Sequence, residues 1–221
     1  MEGSSSFSQL RYIDKNGFEK IRVDNKDGEY VVYNSNDLQD KSDRYYFIDA
    51  MKLGYDEVYI TKMDLNIEYG EIENVGTKEN PIYVPMIRFS APVFNKNLEK
   101  EGVIVLNVYA DNLMTEIDNA APKDNIFLVN NEGYYLYNTN STKEFGFMFL
   151  NNETFFNDYG LKKDFFSQNI KNHIVKINET TFLVDFIYFA IDFLNYTLIL
   201  YYVKKFVNTF VKKIWIKLMM R

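Results

Sequence analysis

Arg44 stands directly before Tyr45-Tyr46-Phe47, and a guanidinium fork beside flat aromatic walls can hold a carboxylate through two parallel hydrogen bonds. Further along, alternation at period two gathers other candidates onto shared strand faces. Tyr59, Thr61 and Met63 form one such set, Met86, Arg88 and Ser90 a second, and Val105 with Asn107 a third. If those faces look into one pocket, their polar tips set its specificity. The competing readings are structural: a surface ion pair of Arg44 with Asp40 or Asp43, and stacking of Arg88 on nearby rings. Tyr12 and Tyr45 read as packing residues.

Other chemistries fall away. The chain has no cysteine and one histidine, His173, which excludes a thiolate nucleophile, a Cys-type zinc site and a multi-histidine metal centre. His173 has no obvious nucleophile beside it, so a Ser-His-Asp set is not supported. Asp64, Asn66 and Glu68 alternate like the oxygen ligands of an EF-hand loop, but Tyr69 and Val75 stand where that loop needs Gly and Glu. Nothing forces Asp64 and Glu68 together for acid–base hydrolysis. Neither GxxxxGK(S/T) nor GxGxxG occurs. Catalysis, metal binding and a cofactor are not expected.

The elements that must position these residues announce themselves through turns. Asn16-Gly17 lies between two runs of strand formers, a pattern that predicts a hairpin with a type I′ turn. The same layout returns at Leu128-Val129-Asn130-Asn131-Glu132-Gly133-Tyr134-Tyr135, with the glycines 116 positions apart, which suggests two copies of one fold. After the first hairpin, Arg44–Leu53 reads as a helix stopped by Gly54. Strands follow at Glu57–Thr61, at Tyr83–Phe94 with Pro85 and Pro92 pushed to edges or bulges, and at Gly102–Tyr109. The apolar run of the last predicts burial on both faces. A helix over Tyr109–Ile117 leads to Pro122. The second copy has a polar middle section containing Phe155-Phe156-Asn157-Asp158, then strands at His173–Asn178, Thr181–Ala190 and Tyr196–Val203. The fold class is α+β, antiparallel sheets with helices capping one face.

Composition agrees. Eighteen Tyr and nineteen Phe against one Trp favour half-buried sheet surfaces. The net charge of −6 divides into +6 from Lys204 onward and −12 before it. An acidic body speaks against a nucleic-acid partner. The basic end, with Val203, Phe206, Val207, Phe210, Val211, Ile214 and Leu218 at helical spacing, predicts an amphipathic helix on the protein or on an anionic membrane surface. Met1–Ser6 lacks the apolar region of a signal peptide. Asp185, Asp192 and Asn195 interrupt the most apolar stretch, Phe182–Val203, and argue against a spanning helix there. Asn-x-Ser/Thr sequences at Asn140, Asn152, Asn178 and Asn195 matter only in a eukaryotic secretory setting.

Several ungapped blocks carry a family resemblance. They are Gln9-Leu10-Arg11-Tyr12-Ile13-Asp14, Gly17-Phe18-Glu19-Lys20-Ile21-Arg22, Leu38 through Phe47, Tyr59 through Glu68, Pro85 through Phe94, and Gly102 through Asn107. Over about residues 8–115 the chain resembles the double-Cache (PAS-like) sensor domains of bacterial histidine kinases, chemoreceptors and diguanylate cyclases. Gly133-Tyr134-Tyr135-Leu136-Tyr137 and Lys143-Glu144-Phe145-Gly146-Phe147-Met148 are similar to the membrane-proximal unit.

The resemblance implies two tandem PAS-like Cache units: a ligand-binding membrane-distal unit over 1–118 and a proximal unit over 122–203, with the basic helix at 204–221. It implies a periplasmic small-molecule sensor from a transmembrane signalling receptor, here a truncated fragment whose flanking membrane helices are absent. The ligand would lie between sheet and cap of the distal unit, against Arg44, Tyr46, Phe47, Tyr59, Thr61, Met63, Arg88, Ser90 and Asn107. Arg44 matches the carboxylate-binding Arg of amino-acid-binding members, Tyr46-Phe47 replaces their Trp-Tyr, and Asn107 stands where they place an Asp. An organic anion therefore fits better than an ordinary amino acid. A homodimer is left open. The alternative is a sensor-derived structural or interaction module whose pocket is filled by its own side chains.

Overall fold

Three hairpins in the structure close on one and the same turn. Asp14 accepts the Gly17 N–H at 2.9 Å, its own N–H donates to Phe18 O at 2.8 Å, and its Oδ1 takes the N–H groups of Asn16 and Phe18. Asn130 repeats every one of these bonds with Gly133, Tyr134 and Glu132, and Asn95 does so with Leu98, Glu99 and Asn97. The left-handed position is filled by Gly17 (φ 92°), Gly133 (φ 84°) and Leu98 (φ 62°). This corrects the type I′ turn expected from Asn-Gly. A side-chain oxygen that caps two amides needs only one residue at positive φ, so Asn16 keeps ordinary backbone geometry.

The computed structural model describes residues 7–26, 28–111, 113–115, 125–165, 173–177, 180–188 and 197–203. The first hairpin joins β1 (Phe7–Asp14) to β2 (Glu19–Lys26), followed by β3 (Glu29–Val32). A six-residue helix α1 (Tyr45–Ala50) comes next, then four two-residue strands: β4 (Tyr59–Ile60), β5 (Asp64–Leu65), β6 (Ile67–Glu68) and β7 (Glu71–Ile72). The long strands β8 (Pro85–Phe94) and β9 (Lys100–Tyr109) complete a sheet of order β3-β2-β1-β9-β8-β4, with β5 also on β8. A second sheet of order β11-β10-β14-β13-β12 uses β10 (Asn125–Val129), β11 (Tyr135–Tyr137), β12 (His173–Ile177), β13 (Thr180–Tyr188) and β14 (Thr197–Val203). All these pairings are antiparallel, and both sheets place their last strand beside the first strand of their hairpin. A further short helix, α2 (Phe155–Tyr159), begins at Thr154, whose hydroxyl caps the Asn157 N–H.

Both hairpin tips are strapped to the segment leading into a helix. Lys41 N–H donates to Gly17 O at 2.7 Å, and Phe155 N–H donates to Gly133 O at 2.8 Å. The backbones come so close that a Cβ on Gly17 would lie 2.3 Å from Ser42 Cβ, and one on Gly133 2.4 Å from the Phe156 ring. Glycine is required at both by φ and by contact alike.

The expected strands are present with shifted ends. Pro92 falls beyond the Tyr59–Ser90 and Ile60–Phe89 pairing of β4, so its missing N–H faces an open edge. Two-sided burial of β9 is corrected: Val103, Val105 and Asn107 are buried, while Ile104 on the other face is 45% exposed. An antiparallel sheet covered on one face alternates in this way, and an apolar run does not by itself reveal the cover. Residues 111 and 113–115 are helical, as expected there. The boundary near 118–122, the basic helix of 204–221 and Met1–Ser6 lie outside the described residues. Among the described residues no helix is long and apolar enough to cross a membrane, and the apolar 182–203 region contributes strands.

Two cores result. Tyr46, Phe47 and Ala50 of α1 pack on Ile13, Val103 and Val105. The other core is shared between the sheets: Met63, Leu65 and Ala110 meet Leu128, Leu136 and Phe145, and Leu65 N–H points at Met148 Sδ at 3.0 Å.

Candidate functional site

The covered face of the first sheet turns polar next to α1. Register puts Gln9, Asn107 and Arg88 in one row across β1, β9 and β8, with Arg11, Val105 and Ser90 in the next. Arg88 is 1% exposed. Its Nη1 forms an ion pair with Asp64 Oδ1, its Nη2 donates to Asn66 Oδ1 at 3.0 Å, and its backbone N–H donates to Thr61 Oγ1 at 2.9 Å. Burial would pull the guanidinium pKa down, but Asp64 outweighs it and the cation is held. Tyr45, assigned above to packing, donates its hydroxyl to Asp64 Oδ2 at 2.8 Å. Burial and the Asp64 charge push that hydroxyl well above the ordinary phenol range, so it stays a donor.

Above this pair lies the Tyr46 ring, with the Arg88 guanidinium 5.3 Å and the Arg44 guanidinium 5.7 Å from its centre. Arg44 serves as the residue before α1 and makes no ion pair with Asp40 or Asp43 among the described residues; Asp40 instead accepts the Ser42 N–H. Four buried polar atoms around here have no hydrogen-bond partner among the described residues: Arg44 Nε, Arg88 Nε, Ser90 Oγ and Asn107 Oδ1. Asn107 spends its amide N–H on Gln9 Oε1 at 2.8 Å, which leaves the carbonyl oxygen as acceptor. Two cationic donors, a hydroxyl and one acceptor can hold an anionic group together with a donor on the same small molecule.

The structure thus brings Arg44, Tyr46, Thr61, Arg88, Ser90 and Asn107 together. Phe47 sits in the apolar core under α1, and Tyr59 packs against that core. Met63 is not part of the group. The chain leaves strand geometry after Ile60, and Met63 turns into the core shared by the two sheets.

Sequence reasoning missed a second cluster beside the first. Glu68 accepts from Arg22 Nη1 at 3.0 Å and Gln39 Nε2 at 2.8 Å, is ion-paired with Arg11 Nη2, and has Lys41 Nζ at 3.8 Å. Arg11 also faces Glu19, while Arg22 is held by both oxygens of Asp24. Burial alone would raise the Glu68 pKa, but the three cations bring it down to about 2. Burial lowers Lys41 to about 8. One signal was available. Arg11 and Arg22 are direct partners across the first hairpin, on the side shared with Ile13, and two like charges there demand an anion. Asp64, Asn66 and Glu68, the EF-hand-like trio, are all engaged by arginines or amides, and no metal-ligand cluster occurs among the described residues.

On β10 and β11 of the second sheet, Phe127 and Tyr135 are buried against Phe155 of α2, and Tyr135 donates to Asp158 at 2.8 Å.

A family model described as bacterial histidine kinase, sensor domain, matches residues 1–173. Similar solved structures include the domain of a sensory box/GGDEF family protein from Vibrio parahaemolyticus (23% identity, TM-score 0.68, 89% of this chain and 71% of that one). The extracellular domain of histidine kinase vpHK1S-Z8 matches with 23% identity and TM-score 0.68, covering 90% of this chain and 68% of that one. The ligand-binding domain of the amino acid chemoreceptor PctC from Pseudomonas aeruginosa PAO1, in complex with GABA, has 14% identity and TM-score 0.56 over 90% of this chain and 74% of that one. The sheet-rich fold is that of Cache-type sensor domains. No curated protein sequence matches the chain.

Proposed function

The chain belongs to the bacterial histidine kinase sensor-domain family, and from that premise we propose that its seven-stranded unit senses a small organic anion gripped by Arg44 and Arg88. The observation that carries this reading is a set of four buried polar atoms without a hydrogen-bond partner among the described residues. They are Arg44 Nε and Arg88 Nε, whose guanidinium groups flank the Tyr46 ring, and Ser90 Oγ and Asn107 Oδ1 on the sheet face that carries Arg88. Buried polar atoms are normally satisfied, and a group of them on one wall marks where a partner belongs. The anion meets Arg44 and Arg88 Nε; a hydroxyl or amide on the ligand meets Asn107 Oδ1 and Ser90. PctC is described in complex with GABA. Here Asn107 is neutral and Asp64 is committed to Arg88, so an ammonium group finds no free carboxylate among these residues.

The five-stranded sheet is the second, membrane-proximal unit of a tandem pair. Support comes from the shared strand order, the repeated turn and the matching straps at Gly17 and Gly133. The rings of Phe127, Tyr135 and Phe155, packed together beside β10 and β11, favour sensing in the first unit. The units flank the outer side of the bacterial inner membrane and catalyse nothing. The segment 61–65 relays binding, since Asp64 faces Arg88 while Met63 and Leu65 pack into the core shared with the second sheet. A ligand moves that segment only by binding its two positions unequally.

Thermal-shift screening of small organic acids, hydroxy acids and amino acids tests the proposal. A ligand-induced rise in Tm that disappears in Arg44→Ala and shrinks in Ser90→Ala supports it. A rise that survives both changes removes this site. The rival, a ligand-free structural module, has in its favour that Asp64 already neutralises Arg88. It prevails if no compound in the panel shifts the wild-type protein.

A further inference from the structure

Glu68 sits where a bound anion would sit. It comes from a hairpin whose strands β6 and β7 are two residues long and pair only with each other. The hairpin turns at Tyr69 and Gly70, with φ of 52° and 84°, and Tyr69 is 67% exposed. Such an element is cheap to displace, because neither of its strands is laddered to a strand of the large sheets. Its carboxylate nevertheless reaches a side-chain exposure of 10%, among cations supplied by firmer parts of the fold. Arg11 and Arg22 face each other across the central β1–β2 ladder, and Lys41 belongs to the strap that holds Gly17. Glu19 and Asp24 offset two of these three charges, so without Glu68 the cluster carries one positive charge in excess.

We propose that Arg11, Arg22 and Lys41 form a carboxylate-binding site separate from Arg44 and Arg88. Glu68 keeps it closed as a tethered occupant, and a competing small carboxylate frees the hairpin 67–72. Tethering gives Glu68 an effective concentration of roughly millimolar or above, which sets the threshold a free ligand must exceed. Release has somewhere to go. Ile72, on the far strand of the hairpin, packs against the core shared by the two sheets. The two anion sites also share a residue. Asn66 accepts from Arg88 Nη2 at 3.0 Å and donates to Glu68 Oε1 at 3.2 Å, so a change at either site is felt by the other.

The test replaces the tethered carboxylate by a free one. Glu68→Ala is titrated with sodium acetate, with sodium chloride at matched ionic strength as control, and Tm is followed. Acetate is expected to raise Tm by at least 5 °C more than chloride, with a saturable dependence, while wild type at the same concentrations responds to both salts alike. The rescue persists in an Arg44→Ala background, which separates this site from the one under Proposed function. Equal effects of the two salts on Glu68→Ala overturn the proposal. Should Glu68→Ala fail to fold, Glu68→Gln carries the test through amide hydrogen exchange. Exchange at least tenfold faster over 67–73, with the β1–β9 amides unchanged, supports the latch, and wild-type rates there refute it.

Discussion

Asp64→Asn isolates the buried charge pair on which the first site is built. The change keeps size and shape but removes the carboxylate that faces Arg88, whose side chain is 1% exposed against 6% for Asp64. Asn66 Oδ1 and the Tyr46 ring remain as partners of the guanidinium, yet neither carries negative charge. Breaking a buried pair from one side costs roughly 3–5 kcal/mol, because the remaining ion has lost its compensation. The retained contacts place the expected loss near the lower end, about 3 kcal/mol. For a chain of this size that corresponds to a fall in Tm of roughly 6–12 °C. Urea unfolding of Asp64→Asn, Arg88→Met and the double variant forms the cycle. The double variant is expected to lose less than the sum of the singles by at least ~1 kcal/mol, since Arg88→Met also removes the orphaned cation. Additive losses, or a cost of Asp64→Asn below about 1 kcal/mol, refute the view that the pair is buried and mutually dependent.

Other changes read other parts of the fold. Glu68 is held at about 2 against an ordinary 4.5, so its contribution is complete above pH 4.5 and is lost as pH falls toward 2. The gap amounts to about 3 kcal/mol, and denaturant titrations of wild type and Glu68→Gln across pH 2–5 should show a steeper slope in wild type. Gly17→Ala forces a Cβ to within 2.3 Å of Ser42 at φ 92° and should cost more than about 2 kcal/mol in chemical denaturation. Leu98→Gly relieves a left-handed leucine that is 70% exposed, and should raise stability by up to about 1 kcal/mol in the same assay.

What the sequence disclosed and what it hid divide along physical lines. Local signals held. Gly17 and Gly133 marked their turns, and the strands after residue 172 fall within two residues of their expected ends, whereas the first helix stops at Ala50, short of the Leu53 end expected from Gly54. Period-two reasoning also placed Arg88, Ser90 and Asn107 on one face, because β8 and β9 are long and regular. The same reasoning failed for Met63, where β4 stops at Ile60 and the chain turns before β5. The partner of Arg88 lay beyond its reach, since Asp64 arrives from a two-residue strand that no pattern announces. Glu68 is a similar case: its cations come from residues 11, 22 and 41, and only the sheet brings them together.

The strand order of the first sheet has a consequence for how the chain is assembled. β1 waits for β9, through pairs such as Asp14 with Gly102 and Phe7 with Val108, and β10 waits in the same way for β14, where Asn125 meets Val203. Each sheet is therefore sealed by the last of its strands to be synthesised. Such non-local closure is slow, and it leaves two similar hairpins with open edges in one molecule. Either late strand could be captured by the wrong hairpin. Gln9 and Arg11 stand on the inward face of β1, whereas the corresponding face of β10 offers Phe127. A β1 captured by β14 would keep Glu19 beside Arg11 but lose the Gln9–Asn107 bond that β9 brings, leaving buried polar groups unmatched. The polar groups inside the first sheet thus also act as an address, sorting each returning strand to its own hairpin.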